Sequence, residues 1–267
     1  MPYISVVDLH VVYESLKGGR VYALRSFEME AERGQFISVV GPSGCGKTTF
    51  LKVVGGIIER SSGDVEIGGR GVDGPGRDRA FVFQENALLP WLTTLANVTF
   101  GLSLAGVPSD TARAKANEWL ERVGLTGFED HYPHELSQGM KQRVGIARAF
   151  VMNPDILLMD EPFASVDAQT RETLQGGLLR IWREERKTVL FVTHNIEEAI
   201  YLSDRVVVMT PRPGRARATF EVNLSRPRTY ETRASSAFQH LRLQIWQKMA
   251  RQAGEEPASA KRETDQG

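Results

Sequence analysis

At 267 residues the chain has enough material for one large domain or two modest ones around a buried core. Lysine plus arginine and aspartate plus glutamate number 33 each, which argues against a nucleic-acid partner. The single Cys45 excludes an internal disulfide, no N-terminal stretch reads as a signal peptide, and no run nears the roughly 20 apolar residues that span a bilayer.

In chain order, residues 4–12 alternate as a strand, and 36–40 form a short continuous apolar run expected of a buried one. A Gly-rich loop follows at once. Residues 48–58 then place Phe50, Leu51, Val54 and Ile57 at helical spacing. Residues 64–67 and 80–83 read as strands separated by a Gly-rich turn region. From 92 to 123 the pattern is helical, with Trp119, Leu120 and Val123 on one face, and 138–151 form another helix. Residues 156–160 read as a buried strand ending in acids, 167–185 as a helix and 188–192 as a strand. Asn195 caps the next helix, with Glu198 in the reciprocal capping position, and 205–209 form a further strand. Strands alternating with helices predict an α/β core with a mostly parallel sheet, interrupted by a helical insertion near 92–150. Phe238, Leu241, Ile245 and Met249 mark an amphipathic helix within 231–252 that packs back on the body, and the polar residues 253–267 read as a disordered tail.

The loop Gly41-Pro42-Ser43-Gly44-Cys45-Gly46-Lys47-Thr48-Thr49 fits G-x-x-x-x-G-K-[ST] between a buried strand and a helix start. Glycines let backbone N–H groups point at phosphate oxygens, and the helix N-terminus favours negative charge. Lys47 would reach the β and γ phosphates and the Thr48 hydroxyl would bind Mg²⁺. At the end of strand 156–160, Asp160 suits Mg²⁺, and Glu161 beside it suits the attacking water, whose proton it would take. These motifs describe a P-loop NTPase and no more.

Leu136-Ser137-Gln138-Gly139-Met140-Lys141-Gln142-Arg143, ahead of the Asp160 strand, resembles the signature motif of ATP-binding cassette (ABC) proteins. The resemblance covers roughly residues 4–209, with motifs in the family's order. It implies that Gln84 is the Q-loop glutamine and a metal contact, that Asp167 belongs to the D-loop, and that His194 is the switch histidine. Tyr13 is placed like the aromatic that stacks on adenine, with Tyr22 as the fallback. The fold implied is a P-loop ABC cassette with an N-terminal antiparallel β part and an ATPase domain over 1–230. Ser137 and Gly139 open a helix, where a hydroxyl and free N–H groups make a phosphate site. The chain's own loop already cradles its phosphates, so this second site is expected to face the nucleotide of another copy across a two-fold interface. Gln138 and Met140 depart from the usual LSGGQ; if position 138 needs positive φ, Gln there costs about 1 kcal/mol relative to Gly.

The undivided phosphate loop, Pro90-Trp91-Leu92-Thr93, residues 136–143, Met159–Phe163, 209–215 and 226–230 resemble the ATPase subunit of bacterial importers of the nitrate/sulfonate/taurine group. That resemblance implies ATP and Mg²⁺, a second copy, an integral membrane permease, an extracytoplasmic solute-binding protein, and a peripheral position on the cytoplasmic face of the membrane. A non-transport assembly cassette is the alternative. Translation-associated cassettes carry two motif sets in one chain, and chromosome-organising ones need a coiled coil that the spacing from Gly41 to Asp160 leaves no room for.

Other residues invite readings of their own. Trp91 is either an exposed anchor for a permease helix or a core aromatic. His131 and His134 flank a proline without cysteine ligands, so a metal site there is disfavoured. Asn97 matches a glycosylation acceptor that a chain without a signal peptide would not use. Cys45, near Lys47 and a helix N-terminus, is expected to favour its thiolate and to be alkylated unless ATP protects it. Residues 205–251 hold ten Lys or Arg against two Glu, suiting either an anionic membrane surface or a solvated face.

Overall fold

The computed structural model describes residues 2–14, 18–84 and 87–250. The expected tail, the last two residues of the expected C-terminal helix and Glu85 beside Gln84 lie outside these described residues.

The chain opens with two long strands, β1 (Ile4–Glu14) and β2 (Arg20–Ala31), then the buried β3 (Phe36–Val40), helix α1 (Lys47–Val54) and strands β4 (Ser62–Ile67), β5 (Arg70–Gly71) and β6 (Arg79–Val82). Three helices follow: α2 (Thr94–Leu104), α3 (Ser109–Arg122) and α4 (Gln138–Phe150). The second half runs β7 (Ile156–Asp160), α5 (Ala168–Glu185), β8 (Thr188–Thr193), α6 (Ile196–Leu202), β9 (Arg205–Met209), β10 (Ala216–Glu221), α7 (Tyr230–Ala234) and α8 (Ser236–Ala250).

The strands form two sheets. One is antiparallel in the order β2-β1-β4-β5; the other runs β10-β9-β3-β8-β7-β6 and is parallel except for its β10 edge. The α/β expectation therefore holds, with three helices inserted between β6 and β7. Buried on both faces, the parallel strands read as unbroken apolar runs, yet their side chains still alternate. Phe36, Val40, Leu157, Met159, Val189, Phe191, Val206 and Val208 face one core with α2–α6 and α8. Ile37, Val39, Ile156, Leu158, Leu190, Val192, Val207 and Met209 face the other, shared with α1 and the antiparallel sheet.

The sequence pattern gave no strand at β2, and the reason is a pair of bulges. Asp8 and Ser26 take left-handed φ of 46° and 47°, and the β1–β2 register shifts between Val6 and Leu9 and again before Val11. Each bulge moves the buried residues to the other parity, so Leu24 is followed inward by Phe27 and Met29 rather than by residue 26. His10 Nε2 lies 3.0 Å from Asp8 and 3.4 Å from Ser26, which joins the two irregularities.

Helix α6 corrects a second expectation. Asn195 does cap it, accepting from the Glu198 N–H at 3.1 Å, but the Glu198 side chain turns inward instead of returning to the cap. The single amphipathic helix expected over 231–252 forms as two, α7 and α8, separated at Ser235; Phe238 and Ile245 of α8 are fully buried, and Leu241 and Met249 pack on the same core. Among the described residues, much of the positive charge of the 205–251 segment is used within the chain. Arg205 pairs with Glu221, Arg226 with Asp204, Arg233 with Glu172 and Arg242 with Glu197. Arg228 is buried and donates to the carbonyls of Ile200, Tyr201 and Ser203 at the C-terminal end of α6. Among the described residues, no helix is long and apolar enough to cross a membrane.

Candidate active site

The phosphate loop leaves the top of β3 and enters α1 through Gly46, whose φ of 108° caps the helix in the left-handed region. A Cβ on Gly46 would stand 2.8 Å from the Ala23 carbonyl and 2.9 Å from Leu24 Cδ2, so β2 presses the loop too closely for any side chain. The loop's outer rim is Ser43 and Gly44, both exposed, with Pro42 and Thr49 half-buried. Arg212, in the β9–β10 turn, donates to the Gly44 carbonyl at 3.2 Å.

Lys47 is buried at 5% exposure. Its Nζ donates to the carbonyls of Gly41 at 3.0 Å and Pro42 at 3.2 Å, and lies 3.5 Å from Glu161 Oε1. These partners sit where the loop curls over the lysine, so the ammonium is satisfied by the loop itself. Thr48 donates its hydroxyl to Asp160 Oδ1 at 3.0 Å. Burial pushes the Asp160 carboxyl up; the Thr48 hydrogen bond opposes this, and the neighbouring Glu161 charge adds to it.

Glu161 follows β7 in a left-handed conformation with φ of 42°, its N–H donated to the Val192 carbonyl at 3.0 Å. This places a non-glycine residue in a sparsely populated region, a strain that clusters at functional sites. Its other carboxylate oxygen lies 2.8 Å from His194 Nδ1, and the His194 ring is 58% exposed. A cavity of about 40 Å³ opens behind the pair, lined by Glu161, Phe163, Ala164, Arg171, Thr193, His194, Asn195 and Glu198. Lys47, Thr48, Asp160, Glu161 and His194, drawn from β7, α1 and the end of β8, thus converge on one crest of the parallel sheet.

The remaining expected residues stand apart. Ser137 is the N-cap of α4 and accepts from the Met140 N–H at 3.3 Å. Gly139 is buried against α5, where a Cβ would stand 2.6 Å from Thr170 Cγ2. Gln138, exposed, is the first residue of the helix and is absent from the positive-φ positions, so the expected penalty for lacking glycine does not arise. Asp167 caps α5, accepting from the Thr170 N–H at 3.0 Å, and Thr170 holds its carboxyl below the usual range. Gln84 is exposed just past β6. Tyr13 and Tyr22 are both exposed on the β1–β2 ribbon, and Arg25 lies over the Tyr22 ring at 5.4 Å. Among the described residues, no hydrogen bond or ion pair joins Tyr13, Gln84 or residues 137–139 to the 41–49 loop.

Cys45 contradicts its expectation. It is 1% exposed, and burial pushes its thiol up by more than Lys47 lowers it, so the thiolate is disfavoured. The histidines at 131 and 134 pack on Phe128 and Tyr132, and no metal-holding group of His, Cys, Asp or Glu occurs among the described residues. Asn97 is fully buried. Its side chain accepts from the Leu89 N–H and donates to the carbonyls of Leu89, Leu92 and Thr93, which pins the loop that presents Trp91 at 69% exposure.

The model of the ABC transporter family matches residues 24–164, which include the phosphate loop, the signature segment and the Asp160–Glu161 pair. This chain belongs to the ABC transporter family. An uncharacterized ABC transporter ATP-binding protein of Methanocaldococcus jannaschii is 51% identical over 84% of each chain. An aliphatic sulfonates import ATP-binding protein of Bacillus thuringiensis is 45% identical over 88% of this chain and 91% of its own. Among solved structures, a dimeric ATP-binding cassette in a post-hydrolysis state with ADP and Pi superposes with a TM-score of 0.73 at 31% identity, covering 83% of this chain and all of the other. The cassette described here is the ATP-hydrolysing subunit of a transporter.

Proposed function

We propose that two copies of this cassette close around two ATP molecules and so drive import of a small organic or inorganic anion, of the nitrate, sulfonate or taurine kind, through a membrane permease. One observation carries the reading. The phosphate-holding half, 41–49 with Asp160, Glu161 and His194, and the half at Ser137–Gly139 are both built, yet within one chain they do not touch. Two copies related by a two-fold axis complete each site with the other's missing half. The dimeric relative bound to ADP and Pi and the relatives named for sulfonate import support the same reading.

In this reading Tyr13 stacks on adenine, and the backbone N–H groups of the 41–49 loop (Gly41, Ser43, Gly44, Cys45, Gly46, Lys47, Thr48 and Thr49) cradle the phosphates, with Pro42 shaping the turn. Lys47 exchanges the Gly41 and Pro42 carbonyls for the β and γ phosphates. The Thr48 hydroxyl and Asp160 carboxylate, 3.0 Å apart, are hard oxygen donors that fit Mg²⁺, with Gln84 as a further contact. Bound there, Mg²⁺ would neutralise charge on the transferring phosphate. Glu161 takes the proton of the attacking water while His194 steadies the γ-phosphate. Ser137, Gln138 and Gly139 of the second copy close the site, and Asp167 links the copies. Positioning and charge stabilisation supply most of the acceleration.

Trp91, exposed on a loop that Asn97 holds rigid, is the anchor for a helix of the permease, which places the cassette at the cytoplasmic face of the membrane. An extracytoplasmic binding protein would deliver the solute to that permease. The test is purification of the full chain from detergent-solubilised membranes of a cell expressing it with its neighbouring reading frames. Recovery in complex with an integral permease, two cassettes per complex, is expected. Recovery free of any membrane protein would overturn import in favour of an assembly cassette.

A further inference from the structure

Glu198 is a buried acid that the hydrolysis scheme above does not use. At 6% exposure on α6, its Oε1 accepts from Gln175 Nε2 at 2.8 Å, and its Oε2 accepts the Thr193 hydroxyl at 2.5 Å. The Thr193 oxygen in turn accepts from the Asn195 N–H at 3.0 Å. Residues 193 and 195, on either side of His194, are therefore held to one another and to Glu198. On the far side of the network, Arg233 of α7 donates to Gln175 Oε1 at 2.6 Å, pairs with Glu172 and stacks on the Tyr201 ring at 4.3 Å.

The direction of each hydrogen bond is fixed by chemistry. A guanidinium only donates, so Arg233 holds the Gln175 amide oxygen toward itself and turns the NH₂ toward Glu198. Glu198 must then accept at both oxygens, which a carboxylate does and an amide cannot. Burial works against this by pushing the carboxyl up, while the two hydrogen bonds and the charges of Arg171 and His194 pull it down. Glu198 lines the same cavity of about 40 Å³ as Glu161 and His194. That volume admits a water molecule.

We propose that Glu198 is a positioning residue of ATP hydrolysis: through Thr193 it sets His194 against Glu161, with Gln175 and Arg233 fixing its own orientation. The proposal rests on the assignment of Glu161 and His194 to the reaction. It explains why α6 begins directly after the switch histidine with a buried carboxylate on its first turn. It also ties the C-terminal segment carrying Arg233 to the chemistry through a continuous chain of donors and acceptors.

The test compares E198Q, Q175E, the double variant E198Q/Q175E and H194A in the full-length protein. ATP turnover at saturating ATP, affinity for a fluorescent ADP analogue and melting temperature are read for each. In E198Q two amide NH₂ groups face one another, or Thr193 loses its acceptor. A displaced catalytic group then lowers kcat about tenfold, with nucleotide affinity kept within about twofold. In E198Q/Q175E every link is again a donor against an acceptor: Arg233 to position 175, position 198 to position 175, and Thr193 to position 198. Turnover should return to within about threefold of the parent. A parental rate in E198Q beside an inactive H194A overturns the proposal while leaving His194 in its role. So does a loss that the swap fails to restore, or one matched by an equal loss of nucleotide affinity. A parental rate in H194A removes the assignment on which the proposal stands.

Discussion

His194 Nδ1 lies 2.8 Å from Oε2 of Glu161, and Lys47 Nζ lies 3.5 Å from the other oxygen of the same carboxylate. One half-buried acid thus faces both the group proposed to hold the γ-phosphate and the lysine proposed to grip it. Glu161→Gln keeps the shape and a hydrogen bond to His194 but removes the charge that attracts Lys47 and the basicity that takes the water's proton. Hydrolysis should fall by at least about 100-fold, the lower range for a general base, while ATP stays bound. With ATP, the variant should elute as a dimer in size-exclusion chromatography, and phosphate release should be nearly abolished. Turnover close to the parent's would take Glu161 out of the reaction.

Cys45 should be a poor nucleophile. It is buried within the phosphate loop, and loss of hydration outweighs the pull of Lys47 on the thiol. At pH 7.5 its alkylation by iodoacetamide should run at least about tenfold slower than that of an exposed thiol, with or without ATP. A mass-spectrometric time course checks this. A rate equal to glutathione's, suppressed by ATP, would show an accessible thiolate instead.

The parallel core was legible because its strands are buried on both faces and read as unbroken runs, as 36–40 and 156–160 do. The phosphate loop and the Asp160–Glu161 pair were legible because their chemistry demands fixed residue types at fixed spacing. Strand β2 was not, since the bulges at Asp8 and Ser26 break the period of two that reveals a half-buried strand. Glu198 was read as a capping residue because its spacing from Asn195 is that of a capping box. Its actual partner Gln175 lies 23 residues away in sequence, and Arg233 a further 58 from Gln175. No local pattern encodes such a pairing. The strain at Glu161 was likewise invisible, because a left-handed backbone at a non-glycine residue is imposed by the packing of β7 against β8.

Arg228 should be a determinant of stability despite its place near the end of the fold. Its guanidinium donates to the carbonyls of Ile200, Tyr201 and Ser203 at 2.8, 3.1 and 2.6 Å, and its own carbonyl accepts the Tyr201 hydroxyl at 3.0 Å. Burial lowers its pKa to about 10, and the nearby Arg226 adds to the effect, yet it stays charged at neutral pH. Arg228→Lys retains the charge but replaces a planar fork with a compact ammonium that cannot reach all three carbonyls. A loss of about 2–4 kcal/mol in denaturant unfolding is expected. A change within about 0.5 kcal/mol, the range of ordinary surface substitutions, would show that the carbonyls find other donors.

Asn97 offers a test of the loop that carries Trp91. The side chain is fully buried, accepts from the Leu89 N–H at 2.8 Å, and donates to the Leu89, Leu92 and Thr93 carbonyls at 3.1, 3.0 and 3.0 Å. Asn97→Asp keeps the acceptor but sets a carboxylate against three carbonyls; Asn97→Leu removes the side-chain partner of the Leu89 N–H and the Leu92 carbonyl, while the Leu89 and Thr93 carbonyls keep the N–H groups of Leu92 and Asn97. Either change should cost about 2–4 kcal/mol, as the loss of a buried polar partner does. The consequence for the exposed Trp91 is separable from that loss. In the leucine variant, proteolysis should cut first between residues 88 and 93, and permease should co-purify less well even below the melting temperature. Trp91→Ala should weaken the same co-purification with little change in melting temperature, since a side chain 69% exposed contributes little to the core. Permease recovery unchanged in both variants would remove Trp91 as the permease anchor.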